Sequence, residues 1–293
     1  MMQGQIIEGR GGLYTVRDAA GIDHVLRAKK KFRRQHMTPL VGDRVDFTPG
    51  EGDEHGWLEE ILPRSSQCLR PPVANIDLLL VTLAAAAPDP DLLLADRLLV
   101  RAQRAGIEAC IVVNKTDLSE NIVQEIRSQY EKSGYRVLTV CAREQIGLDE
   151  LKALARGRIV AFAGQSAVGK STLMNALCPG LGQETGEVSR IERGRHTTRK
   201  AQLFPTPGGG YLADTPGFSL LELDAQDPDT LKDSYPEFAP YEGQCRFLGC
   251  QHIGEPDCAV KQAAKEGLLS TERLERYALL HQEIKEKWGR RYD

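Results

Sequence analysis

The sequence has no apolar run long enough to cross a bilayer. Its longest, LLLVTLAAAAP at residues 78–88, ends in a proline and is shorter than the about 20 residues that a membrane helix requires. No basic segment followed by an apolar stretch opens the chain, so we expect no secretory signal. These absences predict a cytoplasmic protein with no membrane partner.

Cysteine is too sparse and too unevenly placed for a disulfide framework. The 293 residues contain seven cysteines, an odd number. Four are scattered, Cys68, Cys110, Cys141 and Cys178, and three lie near the C-terminus. Without a small secreted scaffold around it, this pattern indicates a reducing compartment and one metal site.

The chain also lacks a strong net charge. The formal value of −3 gives no global signal for nucleic acid, and we expect no DNA partner. Basic residues are concentrated locally, because RAKKKFRR at residues 27–34 has six of them in eight positions. Taken alone, this run fits a solvated surface loop as well as a nucleic-acid contact.

The sequence divides into three regions, and their patterns predict a multidomain α/β protein. Residues 1–68 form short alternating runs broken by Gly and Asp, which is typical of a small β-barrel. Residues 69–222 alternate apolar strands with amphipathic helices, which indicates a parallel sheet covered on both faces. Residues 223–293 begin as an acidic, proline-rich linker and continue as a compact Cys/His segment. They end in a helix from Thr271, its predicted N-cap, to about Trp288.

A phosphate-binding loop follows the predicted strand RIVAFAG. GQSAVGKST at residues 164–172 fits GxxxxGK[ST] and opens a predicted helix, which is the context that the motif requires. Backbone N–H groups cradle phosphates in such a loop, Lys170 reaches the β- and γ-phosphates, and Ser171 ligates Mg²⁺. The predicted nucleotide-binding residues here are Gly164, Gln165, Ser166, Ala167, Val168, Gly169, Lys170, Ser171 and Thr172.

Two later segments complete the predicted phosphate and Mg²⁺ site. In DTPG, Asp214 ends a short apolar strand, where an acid can hold Mg²⁺, and the N–H of Gly217 can meet the γ-phosphate. GRHTTR at residues 194–199 lies where a first switch segment belongs. Thr198 is expected to close on Mg²⁺ there, with Thr197 as the alternative.

A guanine-reading motif precedes the phosphate loop. It consists of Asn114, Lys115, Thr116 and Asp117, at the C-terminal end of a predicted parallel strand. The Asp117 carboxylate accepts two hydrogen bonds from the guanine edge, for which adenine has no matching donors, so the motif selects GTP over ATP. Cys141 and Ala142, where many GTPases have Ser and Ala, are expected to contact the base through the backbone.

The chain lacks the glutamine that orients the attacking water in many GTPases. Phe218 follows DTPG instead. An apolar side chain cannot orient water, so intrinsic hydrolysis is expected to be slow or to use another group. His196, in the first switch segment, is the candidate for that catalytic role, and a structural histidine is the alternative.

A candidate metal site lies near the C-terminus. Cys245, Cys250, His252 and Cys258 place three thiolates and one imidazole within 14 residues. Soft ligands in this ratio are typical of tetrahedral Zn²⁺ and leave no open position for catalysis, so we predict one structural ion. A disulfide with one free cysteine is the alternative.

The motifs have the order expected if the two ends of a small GTPase domain were joined and the chain were opened at another point. The guanine reader usually comes near the end, but here NKTD precedes GQSAVGKST. The termini of a doubly wound sheet lie close together, so joining them and opening the chain after the second switch preserves the site. We hypothesise that this cut lets the second switch act directly on the flanking domains.

Together, the barrel-like N-terminus, the order NKTD, GQSAVGKST, GRHTTR and DTPG, and the Cys/His spacing resemble the circularly permuted GTPases of the RsgA (YjeQ) type. The resemblance implies an N-terminal OB-fold, a circularly permuted P-loop GTPase domain and a mostly helical C-terminal zinc domain. It also implies GTP and GDP as ligands, with hydrolysis stimulated by the small (30S) ribosomal subunit late in its maturation. The resemblance also implies a catalytic role for His196, which matches the histidine to which this family's catalytic role is credited.

The resemblance also favours an RNA role for the basic run. RAKKKFRR in an OB-type barrel is then expected to contact the backbone of 16S rRNA, because phosphate contacts dominate such affinity. We expect a monomer. An alternative of another class is a non-catalytic RNA-binding assembly factor with nucleotide as a structural ligand, which the residue Phe218 supports.

Overall fold

The structure, a computed structural model, describes residues 1–52, 54–68, 71–181, 201–214 and 227–290. Within these ranges the chain forms a β-barrel, an α/β sheet and a C-terminal helical region with the Cys/His cluster. No helix of these described ranges is long and apolar enough to cross a membrane.

The N-terminal part of the chain is a closed barrel. Its strands are β1 Met2–Arg10, β2 Leu13–Asp18, β3 Asp23–Ala28, β4 Arg44–Thr48 and β5 Gly56–Ile61, with a short helix α1, Lys30–Arg34, after β3. The strands pair in the order β1-β2-β3-β5-β4, and β4 pairs again with β1, which closes the barrel. Alternate side chains such as Ile6, Val16 and Leu58 fill its interior. This confirms the OB-fold prediction.

A two-stranded ribbon joins the barrel to the sheet. It pairs β6 Gln67–Cys68 with β7 Val73–Ala74. Beyond it, the side-chain amide of Asn75 donates to the carbonyl of Gly42 at 2.8 Å and accepts from the N–H of Ser65 at 2.8 Å. This buried amide therefore fixes the barrel to the start of the sheet.

The central sheet has the doubly wound arrangement. Its strands are β8 Leu78–Ala84, β9 Glu108–Asn114, β10 Arg136–Thr139, β11 Ile159–Ala163, β12 Gln202–Pro205 and β13 Tyr211–Asp214. They lie in the order β10-β9-β8-β11-β13-β12, and β12 alone among these strands is antiparallel to its sheet neighbour. β1 pairs with β12 at Glu8 and Gln202, so the barrel continues the sheet.

Helices cover both faces of this sheet, as its continuous apolar strands predict. Among the described residues, four helices do so: α2 Leu92–Arg104, α3 Glu120–Glu131, α4 Leu148–Ala155 and α5 Lys170–Leu177. α2 and α3 pack on one face through residues such as Leu98 and Ile126, and α4 and α5 pack on the other through Leu151 and Leu173. Strand β11, between β8 and β13, is the point from which connections leave in both directions, and ligands bind at the carboxyl ends beside such a strand.

The C-terminal region is packed from its first described residues. Two 3₁₀ helices, Pro228–Ser234 and Pro236–Tyr241, precede α6 Ala259–Lys265 and α7 Thr271–Gly289. Tyr235 and Phe238 are buried against α7, so the prediction of a linker is wrong for residues 227–241. The predicted N-cap Thr271 is also wrong by one residue, because the Oγ of Ser270 accepts from the N–H of Arg273 at 3.1 Å.

Candidate functional site

The phosphate loop lies at the carboxyl end of β11 and runs directly into α5. Two of its glycines have a left-handed backbone, with φ of +136° at Gly164 and +96° at Gly169. A Cβ at Gly164 would lie 2.1 Å from the carbonyl oxygen of Thr82, and one at Gly169 would lie 2.2 Å from Nδ2 of Asn114. Both positions therefore require glycine, for backbone angle and for space.

The lysine of the motif lies inside the curve of this loop. Nζ of Lys170 donates to the carbonyl of Gly164 at 2.8 Å and to that of Gln165. Burial lowers the pKa of Lys170. Ser171 and Thr172 are exposed in the first turn of α5. An ammonium group and a helix N-terminus at one loop form an anion-binding arrangement.

The guanine-reading motif touches the phosphate loop directly. Asn114, the last residue of β9, is buried, and its Nδ2 donates to the carbonyl of Val168 at 2.9 Å. Nζ of Lys115 donates to the carbonyl of Ala167 at 2.8 Å. The Oδ1 of Asn114 accepts from the N–H of Ala142 at 3.1 Å. The two motifs, about 50 residues apart in the chain, are thus joined by side-chain hydrogen bonds.

Asp117 and Cys141 lie beside each other at the same end of the sheet. The Cys141 thiol donates to Oδ1 of Asp117 at 3.1 Å. Burial raises the pKa of this thiol, and its hydrogen bond to Asp117 adds to the effect. No sequence signal reveals this side-chain contact, because the two residues follow different strands.

Asp214 ends β13, which runs parallel to β11 and beside it. The carboxyl ends of parallel neighbours meet at one edge, so Asp214 lies at the edge that carries the phosphate loop. The remaining predicted residues of this site lie outside the described residues. They are His196, Thr197, Thr198, Gly217 and Phe218.

The four predicted metal ligands come together in the C-terminal region. Their ligand atoms all lie within 4.8 Å of one another. The Sγ of Cys245 lies 3.9 Å from that of Cys258, and Nδ1 of His252 lies 3.3 Å from Cys258 and 3.6 Å from Cys245. Four ligands around Zn²⁺ with bonds of about 2.3 Å to sulfur require sulfur–sulfur separations of about 3.8 Å. The cluster therefore fits a tetrahedral ion.

Burial of the cluster affects the protonation of its cysteine thiols. Cys250, His252 and Cys258 are buried, and burial raises the pKa of the Cys250 thiol to about 12. A metal ion stabilises the thiolate form of such ligands. The donor set and its closed geometry are those of a structural site.

The basic run lies on the outside of the barrel. Arg27 on β3 is directly beside Trp57 on β5, and both side chains are exposed, Trp57 to 44%. Helix α1 then exposes Lys30, Lys31, Arg33 and Arg34, and buries Phe32. Residues 30–34 are therefore helical and not a loop, but their basic side chains are on the solvated surface, as that alternative expects. No sequence pattern singles out Trp57.

The fold and the joined motifs define a circularly permuted GTPase, with an OB-fold barrel before it and a Cys₃His cluster after it. The RsgA GTPase family profile matches residues 61–224, and the RsgA N-terminal domain profile matches residues 3–58. The chain belongs to the RsgA GTPase family, and is a GTP hydrolase by that membership.

Individual relatives match along nearly the whole chain. A protein from Ruminiclostridium cellulolyticum named small ribosomal subunit biogenesis GTPase RsgA is 43% identical over 290 residues, covering 98% of this chain and 95% of the relative. The crystal structure of YjeQ from Thermotoga maritima is 33% identical with a TM-score of 0.86, covering 97% of this chain and 98% of that one. The structure of YloQ, a circularly permuted GTPase, is 34% identical with a TM-score of 0.83, covering 98% and 96%.

Proposed function

We propose that this chain hydrolyses GTP to GDP and phosphate during late maturation of the small ribosomal subunit, in the cytoplasm. One observation carries the nucleotide assignment: the guanine-reading side chains Asn114 and Lys115 hydrogen-bond directly to the phosphate loop. A base and a phosphate chain can therefore be held by one connected structure. The ribosomal assignment is supported by relatives named small ribosomal subunit biogenesis GTPases.

We assign roles to the individual residues from the motifs to which they belong. Residues 164–172 hold the phosphates, with Lys170 on the β- and γ-phosphates. Asn114, Lys115, Thr116 and Asp117, with the backbone of Cys141 and Ala142, hold guanine. Ser171 and Asp214, at one edge of the sheet, fit Mg²⁺ ligation together with Thr198. Gly217 meets the γ-phosphate. Mg²⁺ neutralises charge on the phosphate oxygens when it is bound.

We assign the orientation of the attacking water to His196. A histidine within reach of that water can orient it, whereas Phe218 cannot. His196→Ala should lower the rate of phosphate release in the presence of small subunits while GDP affinity stays unchanged. Equal rates for the variant and the parent protein would exclude this role.

Outside the nucleotide site, we divide the chain into a barrel at residues 1–68, a GTPase domain at residues 69–222 and a zinc domain at residues 223–293. The zinc domain would hold one structural Zn²⁺ through Cys245, Cys250, His252 and Cys258, as the closed cluster supports.

We assign the contact with 16S rRNA to the barrel. The exposed face of Arg27 and Trp57, continued by the basic residues of α1, offers cations for phosphates and a ring for base stacking. We expect the chain to act as a monomer. Arg33→Ala combined with Arg34→Ala should weaken binding to small subunits and reduce its salt dependence.

Phosphate release from GTP tests the central proposal, with purified protein alone and with small or large ribosomal subunits. Strong stimulation by small subunits only is expected, and Asp117→Asn should lose activity because its side chain mismatches the guanine edge. Equal, slow release under all conditions would contradict the proposal. That result would favour an RNA-binding assembly factor in which nucleotide is a structural ligand.

A further inference from the structure

Strand β1 belongs to both the barrel and the GTPase sheet. Its residues Met2 to Gln5 pair with β4 inside the barrel, whereas Glu8 pairs with Gln202 of β12. In between, the register of β1 against β2 shifts at a β-bulge between Ile6 and Glu8. A bulge bends its strand and changes the direction of the side chains beside it. The bulge therefore turns the end of β1 from the barrel towards the sheet.

The pairing with β12 places three polar residues in one row. Gln202 is directly opposite Glu8 on one side and directly opposite Asp214 of β13 on the other. Directly opposite residues of paired strands have their side chains on the same face, with Cβ atoms roughly 5 Å apart. All three residues are half-buried. Glu8, Gln202 and Asp214 thus form a row across three adjacent strands, which we call the polar row.

The polar row lies on the face of the sheet that packs against α5, the helix after the phosphate loop. Phe204 and Leu212 pair with each other and are buried in one cluster with Leu173 of α5. Phe204 is two residues after Gln202, and Leu212 is two residues before Asp214. Because side chains alternate along a strand, Gln202 and Asp214 share this face. The first turn of α5 carries the other described Mg²⁺ ligand that we propose, so the placement of Asp214 fits its role.

An apolar row beside the polar row fixes the register of the three strands. Leu203 and Ala213 pair with each other and are buried on the opposite face of the sheet. Ile7, the residue before Glu8, is buried in the same cluster. A slip of one residue would move these side chains to the other face, which burial of the cluster opposes. The register that places Gln202 between two carboxylates is therefore strongly specified.

We propose that Gln202 is a positioning residue for the Mg²⁺ ligand Asp214, and that Glu8 of the barrel holds Gln202 in place. The proposal rests on the role of Asp214 described under the proposed function. A glutamine amide has two N–H donors and an ionised carboxylate only accepts, so Gln202 can donate to a carboxylate on either side. An amide bond to Asp214 orients that carboxylate and leaves lone pairs for the ion or its water. The barrel thereby contributes a residue to the Mg²⁺ edge of the site.

The Mg²⁺ dependence of nucleotide binding tests the proposal. Affinity for a fluorescent GTP analogue with a β,γ-imido bridge is titrated without Mg²⁺ and at increasing Mg²⁺ concentrations. Gln202→Met keeps the length of the side chain and removes the amide, and Glu8→Ala removes the partner on the barrel side. Gln5→Met is the matched control, because it makes the same substitution on β1. The Gln5 amide donates to the carbonyl of Gly42 at 2.7 Å within the barrel and is not part of the polar row.

Gln202→Met should raise the half-saturating Mg²⁺ concentration about two- to fivefold, the effect of one cross-strand pair, and leave the affinity without Mg²⁺ unchanged. Glu8→Ala should raise it by a smaller factor, and should add nothing in the Gln202→Met background, because its effect passes through Gln202. Gln5→Met should leave the Mg²⁺ requirement unchanged.

An unchanged Mg²⁺ requirement in Gln202→Met would overturn the proposal. So would an equal effect of Glu8→Ala in both backgrounds, because Glu8 would then act without Gln202. An equal shift in Gln5→Met would also overturn it, because general loosening of β1 would then be the cause.

Asp214→Asn separates this proposal from the one on which it rests. If this variant keeps the Mg²⁺ requirement of the parent protein, the role of Asp214 as a ligand is itself contradicted. If Asp214→Asn raises the requirement while Gln202→Met behaves as the parent protein does, only the role of Gln202 is contradicted.

Discussion

At the scale of single residues, Gly169 connects the two halves of the nucleotide site. A methyl group there would lie 2.2 Å from Nδ2 of Asn114, the atom that donates to Val168. Gly169→Ala should therefore displace the asparagine and lower GDP affinity by at least about tenfold, since a buried polar group loses its partner. Isothermal titration calorimetry measures the change.

Gly134 gives this experiment its control. Its φ of +78° is as unfavourable for alanine as that of Gly169, but no heavy atom lies within 4 Å of the place of its Cβ. Gly134→Ala should cost about 1 kcal/mol of stability through backbone strain alone and leave GDP affinity unchanged. A similar loss of affinity in both variants would show that strain, and not the contact with Asn114, governs the site.

The site residues illustrate how far the sequence alone can go. The motifs predict which residues surround a nucleotide, because each motif is a local pattern tied to a strand end. They do not predict the thiol contact between Cys141 and Asp117 or the exposed Trp57 beside Arg27. Those pairs depend on which strands become neighbours, and such pairing depends on the whole fold.

At the scale of the elements, α7 shows how a helix start is decided. Ser270 and Thr271 are both good N-cap residues, and the sequence does not distinguish them. In the structure Ser270 has the extended backbone of an N-cap, and its Oγ accepts from the N–H of Arg273. Where two capping residues are adjacent, the sequence therefore defines a helix start only to within one residue.

Ser270→Ala should destabilise the protein by about 1 kcal/mol, because an N–H of the first turn loses its acceptor. Thermal unfolding followed by circular dichroism measures the loss. Thr271→Ala is the matched change inside the helix and should cost less than half as much. An equal effect of the two substitutions would contradict the assignment of Ser270 as the cap.

The elements that sequence patterns missed are the short ones. The ribbon of β6 and β7 and the 3₁₀ helices at residues 228–241 have too few residues for a hydrophobic period. The proline and acidic content of residues 228–241 is also typical of a linker. They are ordered by tertiary packing, through Tyr235 and Phe238 in the second case. Long strands and helices were predictable because they contain enough residues to show a clear hydrophobic period.

At the scale of the whole molecule, buried charges fasten the C-terminal region to the GTPase sheet. Arg273 of α7 is 2% exposed and pairs with Asp96 of α2 and with Glu237 of the second 3₁₀ helix. Arg276 also pairs with Asp96, and the hydroxyl of Tyr130 donates to Oδ1 of Asp96 at 3.0 Å. We therefore expect α2 and α7 to move together. The hypothesis that the second switch acts on the flanking domains stays a prediction, because residues 215–226 lie outside the described residues.

Arg273→Met tests this attachment. Removing the cation leaves the buried carboxylates of Asp96 and Glu237 without their Arg273 partner, so the free energy of unfolding should fall by about 3–5 kcal/mol. Urea unfolding measures the change. The control is Arg158→Met, which breaks an exposed pair with Glu108 and should cost less than about 1 kcal/mol. Comparable losses in the two variants would show that burial of the network does not contribute.

Removal of the metal tests whether the C-terminal region is stabilised independently of nucleotide binding. The hydroxyl of Tyr277, on α7, donates to the carbonyl of Gln251 within the Cys/His loop at 2.8 Å. The ion should therefore hold that loop against the helix that also carries Arg273. A zinc-selective chelator in excess Mg²⁺ should lower the unfolding temperature, and added Zn²⁺ should restore it.

GDP affinity should survive the same treatment, because the described guanine and phosphate contacts involve residues 87–170 and none of the Cys/His loop. Titration of the chelated protein with GDP checks this. Loss of GDP binding together with the metal would show that α2 transmits the state of the Cys/His loop to the nucleotide site. An unchanged unfolding temperature would instead contradict a structural ion. If stability falls while affinity holds, the metal supports the C-terminal region and the sheet alone builds the nucleotide site.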